Sequence, residues 1–125
     1  MNLIASADAG IFDIPDTRVV AYAAPSRGST ELCLWRLDIA PRSISPLHHM
    51  DCEEVFLCLA GRAVIATAGE ERPVEPGDCV VLPAGTDFSF RVLGEEPFRA
   101  VACIRAGGKA TMAASGDTFV PPWAA

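Results

Sequence analysis

Short apolar runs separated by Gly, Pro, Asp and Ser recur along this chain at a spacing of roughly 8–12 residues, the rhythm of short strands rather than of helices. Predicted strands cover residues 18–23 (RVVAYA), 31–39 (ELCLWRLDI), 54–59 (EVFLCL), 62–68 (RAVIATA), 78–82 (DCVVL), 87–93 (DFSFRVL) and 98–104 (FRAVACI). Each is rich in Val, Ile, Leu or Phe, and none extends into a helical stripe with capping residues. Turn-forming segments lie between them, among them PSRGS at 25–29, APRSISP at 40–46, PAGT at 83–86 and GEEP at 94–97. The pattern predicts an all-β fold, an antiparallel sandwich or small barrel.

The last twenty residues depart from that rhythm. AGGKATMAASGD reads as a flexible linker by composition. It is followed by TFVPPWAA, in which Phe119 and Trp123 flank a stiff Pro-Pro pair. A free tail has little use for two large aromatic rings, so an arm that docks on its own barrel or on a partner subunit is expected. The plan is one domain: an N-terminal arm and edge strand over 1–30, a barrel core over 31–104, and a Gly/Ala-rich segment with a docking tail over 105–125.

Composition narrows the classes of function. The chain has 125 residues, half of them apolar, enough for one substantial core. Its net charge of −6 and single lysine argue against nucleic acid and anionic membranes, which need clustered basic residues. No apolar run approaches the roughly 20 residues of a membrane span. The first residues lack the basic-then-apolar order of a signal peptide, so a cytoplasmic location is expected. The five cysteines, at 33, 52, 58, 79 and 103, form no CxxC pair and read as buried reduced thiols.

The chemistry concentrates in residues 48–61 (HHMDCEEVFLCLAG) and 77–88 (GDCVVLPAGTDF). Two imidazoles and three carboxylates fall within seven residues at the mouth of an apolar strand, the composition of a metal site. The two segments resemble the paired motifs of the cupin superfamily, small jelly-roll β-barrels built from antiparallel strands. Glu54 and Gly61 match the end of the first motif, and Gly77, Pro83 and Gly85 the frame of the second. The resemblance covers residues 31–104. It implies a single-domain, type-2-like cupin barrel, a homodimer, and a metal held by three histidines and a glutamate.

Two of those four ligand positions are apolar under the ungapped alignment. His48 takes the first histidine's place, Met50 the second's and Phe88 the third's, leaving His48 and Glu54. A one-residue shift makes His49 a ligand and puts Leu47 at the first position, and a bulge would turn both imidazoles inward. If Glu54 faces the interior as in the family, strand alternation places Phe56 and Cys58 beside it, with His48, Met50 and Cys52 if the strand runs on unbulged. Phe88, Phe90 and Val92 share a face on the second motif. Trp35 lies on the more apolar parity of its strand.

The expected interior is therefore an apolar pocket lined by Trp35, Met50, Phe56, Cys58, Phe88 and Phe90 around His48 and Glu54. An inward carboxyl among aromatics is costly unless paired and has a raised pKa; His48 is its natural partner. The leading reading is a protein that binds a largely apolar or aromatic small molecule, with Glu54 and His48 as a metal-independent acid/base pair for isomerase, cyclase or lyase chemistry. One alternative is a metal-dependent oxygenase or isomerase holding Zn, Fe or Mn on His48, His49 and Glu54. Another is a barrel that binds a ligand without turnover, or whose interior is simply filled. Asp51 and Glu53 are expected to face solvent on the outward parity, and His49 to be an exposed residue of a polar strand end.

Overall fold

The seven runs of β-branched and aromatic residues all become strands, and five further short strands join them. The structure, a computed structural model, describes residues 1–125 and contains no α-helix. In chain order the strands are β1 (Gly10–Ile14), β2 (Thr17–Ala23), β3 (Leu32–Ile39), β4 (His48–Met50), β5 (Glu54–Ala60), β6 (Arg62–Ala66), β7 (Glu71–Val74), β8 (Cys79–Leu82), β9 (Ser89–Leu93), β10 (Phe98–Arg105), β11 (Ala110–Met112) and β12 (Thr118–Phe119). No helix is long and apolar enough to cross a membrane.

One layer is a six-stranded antiparallel sheet in the order β1-β2-β3-β10-β5-β8. The other consists of two three-stranded sheets, β12-β11-β4 and β7-β6-β9. Isolated bridges at His48–Phe88 and Ile44–Arg91 join the second pair edge to edge. The result is the two-layered, jelly-roll-like arrangement expected. Alternation along each strand sends Val19, Trp35, Phe56, Ile65, Phe90 and Phe98 into one shared core. Phe56, Phe88, Phe90 and Phe98 form a run of aromatic contacts with centroids 5.1–5.9 Å apart, within the favourable range for such pairs.

Two expectations change. The strand through Met50 does not run on into Glu54: the chain bends over residues 51–53 and passes from β4 in one layer to β5 in the other. Both segments still turn their even-numbered side chains inward, but from opposite walls. The segment read as a flexible linker instead contains β11, which pairs with β4 through Ala110–Met50, Thr111–His49 and Met112–His48. Its small side chains let the backbone lie flat along a buried edge.

All five cysteines are unpaired. Cys33, Cys52 and Cys58 are buried and Cys103 is half-buried, but Cys79 is exposed because β8 turns Val80 and Leu82 inward. The outward side of the large sheet is unusually apolar: Leu34, Cys103, Val55 and Val81 stand in register across four strands, with Leu32, Leu57 and Leu59 beside them.

The β5–β6 connection turns at Gly61, whose φ of 73° lies in the left-handed region. A Cβ there would run into the carbonyl of Pro97. Gly61→Ala therefore combines left-handed strain, about 1–2 kcal/mol, with a backbone clash. Urea unfolding is expected to show a loss of at least about 2 kcal/mol; a loss below about 0.5 kcal/mol would contradict this account of the turn.

Candidate functional site

The two layers do not close completely, and a cavity of about 340 Å³ remains between them. That volume falls in the range of small-molecule sites. The large sheet contributes Trp35, Leu37, Glu54 and Phe56 to its wall, and the opposite layer contributes His48, Met50, Phe88 and Phe90. The C-terminal segment adds Phe119, Pro121, Pro122 and Trp123, and Val19, Ile39, Ser45 and Pro46 are among the remaining lining residues. No Lys or Arg lines it.

Glu54 is 3% exposed, and its Oε2 is buried without a hydrogen-bond partner. Nothing nearby offsets the lost hydration, so burial pushes its carboxyl up to about 8. At neutral pH most of the population is the uncharged acid.

His48 sits across the cavity on β4. Its Nδ1 is 2.8 Å from the Pro46 carbonyl oxygen, which can only accept, so Nδ1 carries the proton. Burial holds the imidazole below its usual pKa, against a smaller opposite pull from the Pro46 bond. The neutral ring therefore keeps its free lone pair on Nε2. His48 and Glu54 line the same cavity but are not hydrogen-bonded to each other, so the direct pairing expected from sequence is absent.

The His48 ring lies 4.6 Å from that of Phe88, and their backbones pair: Phe88 N–H donates to the His48 carbonyl at 2.9 Å, and His48 N–H to that of Phe88 at 3.3 Å. The second motif is fixed to the first again where Gly85 N–H donates to the Met50 carbonyl at 2.8 Å. Of the pocket residues expected from sequence, Trp35, Met50, Phe56, Phe88 and Phe90 are buried on the cavity wall. Cys58 is the exception. It shares their inward parity, but its Sγ lies by the Ala60 and Gly61 carbonyls, beyond the cavity.

His49 faces away, as the odd residue of β4, and its Nδ1 is 2.8 Å from an Asp87 carboxylate oxygen. The alternative set of His48, His49 and Glu54 is thus not assembled, and no three His, Cys, Asp or Glu side chains are grouped to share a metal. The thioether of Met50 and the ring of Phe88 are poor substitutes for imidazole toward Zn, Fe or Mn. The residues present do not fit the metal of the fold family.

Sequence reasoning missed most of the C-terminal lining. The ring of Trp123 packs against Phe12 and Trp35 at centroid distances of 6.3 and 6.4 Å, and the Ala124 carbonyl accepts from Cys33 Sγ. Two bonds from Ser26 hold the Ala125 carbonyl oxygen. The end of the arm therefore lies on its own barrel through Trp123, while Phe119 stays 40% exposed. Arg36 and Arg99 are drawn to Asp38 on the outer face, away from the cavity.

Comparison with known proteins agrees with this geometry. The cupin domain model matches residues 35–104, more than half of the chain. The chain belongs to the cupin family. The polyketide cyclase RemF of Streptomyces resistomycificus superposes with a TM-score of 0.79 over 98% of this chain and 88% of its own, at 15% identity. KdgF of Halomonas sp. gives 0.71 over 83% and 94%, at 16% identity. The DMSP lyase DddQ of Ruegeria pomeroyi gives 0.64 over 71% of this chain and 47% of its own, at 26% identity. No curated protein sequence matches significantly.

The raised carboxyl pKa has a signed consequence for stability. The folded state holds the Glu54 proton more tightly than the unfolded chain, so this group is without penalty below pH 4.5 and costs progressively more up to about pH 8. At about 1.4 kcal/mol per pH unit, the full penalty is on the order of 5 kcal/mol. Glu54→Gln is expected to match the wild type near pH 4.5 and to be more stable by several kcal/mol at pH 9. Parallel chemical-denaturation curves at the two pH values check this, and a constant difference would contradict it.

Proposed function

We propose that this cupin binds a largely apolar or aromatic small molecule between its two layers and moves a proton on it without a metal. The observation carrying this reading is the pairing, on opposite walls of one apolar cavity, of an uncharged carboxylic acid with a neutral imidazole. Glu54 donates to a substrate carbonyl oxygen, and the free Nε2 of His48 takes a proton from the neighbouring carbon. The resulting enol is held by the two groups. Return of the proton to a different carbon gives isomerisation, attack by the enol carbon gives ring closure, and loss of a β-substituent gives elimination. Similarity in fold to a polyketide cyclase and a lyase accords with such chemistry but does not select among these outcomes.

Both groups must be in the named state, so activity is bounded by His48 protonation below its lowered pKa and by Glu54 ionisation near pH 8. Deuterium exchange at the α-carbons of 2-tetralone, followed by proton NMR, tests this. The wild type is expected to accelerate exchange with a bell-shaped pH profile whose upper limb falls near 8. Glu54→Gln and His48→Phe should each reduce it by roughly 10²–10⁴-fold, and dialysis against EDTA should leave it unchanged. Exchange at the buffer rate despite tetralone binding would leave a binding protein without turnover, and loss of exchange on chelation would point to a metal.

The homodimer suggested by family resemblance is proposed to form through the apolar outer face of the large sheet. A twofold-related copy presents the same Leu34–Cys103–Val55–Val81 row, so apolar meets apolar. Light scattering is expected to give the dimer mass for the wild type and the monomer mass for Leu57→Asp with Val81→Asp; monomer for both would remove the proposal.

A further inference from the structure

Apart from Trp123, whose indole nitrogen is sealed within the wall, four lining side chains carry a nitrogen or oxygen: Thr17, Ser45, His48 and Glu54. They fall into two pairs, and each pair straddles the gap between the layers. Glu54 and Thr17 belong to the six-stranded sheet, on β5 and β2, while His48 and Ser45 belong to the opposite wall. The proposed acid and base make up the first pair. The second pair, two hydroxyls, has no part in that chemistry.

The positions of the pairs follow from the backbone. His48 exchanges backbone bonds with Phe88, and Ser45 is bound in the same way to Phe90. The Ser45 N–H donates to the Phe90 carbonyl at 2.9 Å, and its Oγ accepts the Phe90 N–H at 2.8 Å. Phe88 and Phe90 are two residues apart on one inward face, so His48 and Ser45 lie about 7 Å apart along this wall. Thr17 reaches the Ser45 end from the other sheet. It is in register with Ile39, Ile39 is in register with Phe98, and the Phe98 ring meets that of Phe90 at 5.1 Å.

Both residues are half-buried, and both hydroxyls have hydrogen-bonding capacity to spare. The Ser45 oxygen accepts from Phe90, but its own proton goes to no acceptor in the chain. Thr17 Oγ1 has no partner and, unlike the sealed atoms of Glu54 and Trp123, keeps accessible surface. A hydroxyl both donates and accepts. With no Lys or Arg in the lining to hold an anion, the complement of this pair is an uncharged oxygen. We infer that Thr17 and Ser45 form a second polar subsite, which fixes a neutral hydroxyl or carbonyl oxygen at the end of the ligand away from His48. The inference rests on the ligand site proposed above. It adds that the occupant is elongated, apolar along its length and oxygenated at both ends.

Two probes of nearly the same shape test this: 6-hydroxy-2-tetralone carries the second oxygen, and 6-methyl-2-tetralone has a methyl group in its place. Calorimetry on the full chain is expected to show the hydroxy compound bound at least as tightly as the methyl compound, although transfer out of water favours the methyl group. Thr17→Val keeps the shape and strand preference of the residue and removes only the hydroxyl. It and Ser45→Ala should each weaken the hydroxy compound about 3–10-fold and change the methyl compound less than about twofold. Ser45→Ala also takes the acceptor from Phe90 N–H, so Ser45→Thr, which restores a hydroxyl, is its control and should recover most of the lost affinity. Thr17→Val removes no hydrogen bond from the fold, so its result stands whether or not the Ser45 variants fold. Weaker binding of the hydroxy than of the methyl compound by the wild type, or an equal effect of Thr17→Val on both, would overturn the inference while leaving the apolar site intact. Failure of both compounds to bind would instead remove the site itself.

Discussion

The paired backbone bonds between His48 and Phe88 hold the architecture of the site together. Neither of the two small sheets could cover the six-stranded layer alone. This bridge, with that at Ile44 and Arg91, makes them a single wall. It also brings the start of the first cupin motif against the end of the second, 40 residues apart in the chain. In a metal-binding relative those two positions would carry histidines converging on an ion. Here the side chains are an imidazole and a phenyl ring in contact, and the same backbone joint shapes an apolar wall.

The other constraint is the isolation of Glu54. With no cation or hydrogen-bond donor to stabilise its charge, the carboxyl stays protonated across most of the neutral range. His48 is kept neutral by the same desolvation, which acts in opposite directions on an acid and a base. Burial thus yields an uncharged acid and an uncharged base facing one space without any contact between them. Direct pairing would have encouraged proton transfer from one to the other and left two ions in an apolar cavity.

Much of this was legible in the sequence because two local rules were obeyed. Strand alternation set the inward faces of β3, β5 and β9 correctly, and the Gly77–Pro83–Gly85 frame gave the family. What was not legible depended on where the chain crosses between layers. Alternation carries no information about the bend at residues 51–53, which puts Met50 and Glu54 on facing walls. Parity likewise cannot report depth, so Cys58 was placed in a cavity that ends before it. The strand in the Gly/Ala-rich segment escaped notice because Ala110–Met112 is only three residues long, follows Gly107 and Gly108, and is recruited by pairing with β4.

The docking of the C-terminal arm also concentrates the protein's optical signal. The chain has two tryptophans, and both stand in the cavity wall with ring centroids 6.4 Å apart. Tryptophan emission therefore originates wholly from the site, with each indole the near neighbour and energy-transfer partner of the other. The far end of the barrel, around the β5–β6 turn, contributes nothing to it. A melting curve followed by tryptophan emission tracks the release of the arm, whereas one followed by far-ultraviolet dichroism tracks the sheets, and any gap between the two measures how independently the arm lets go.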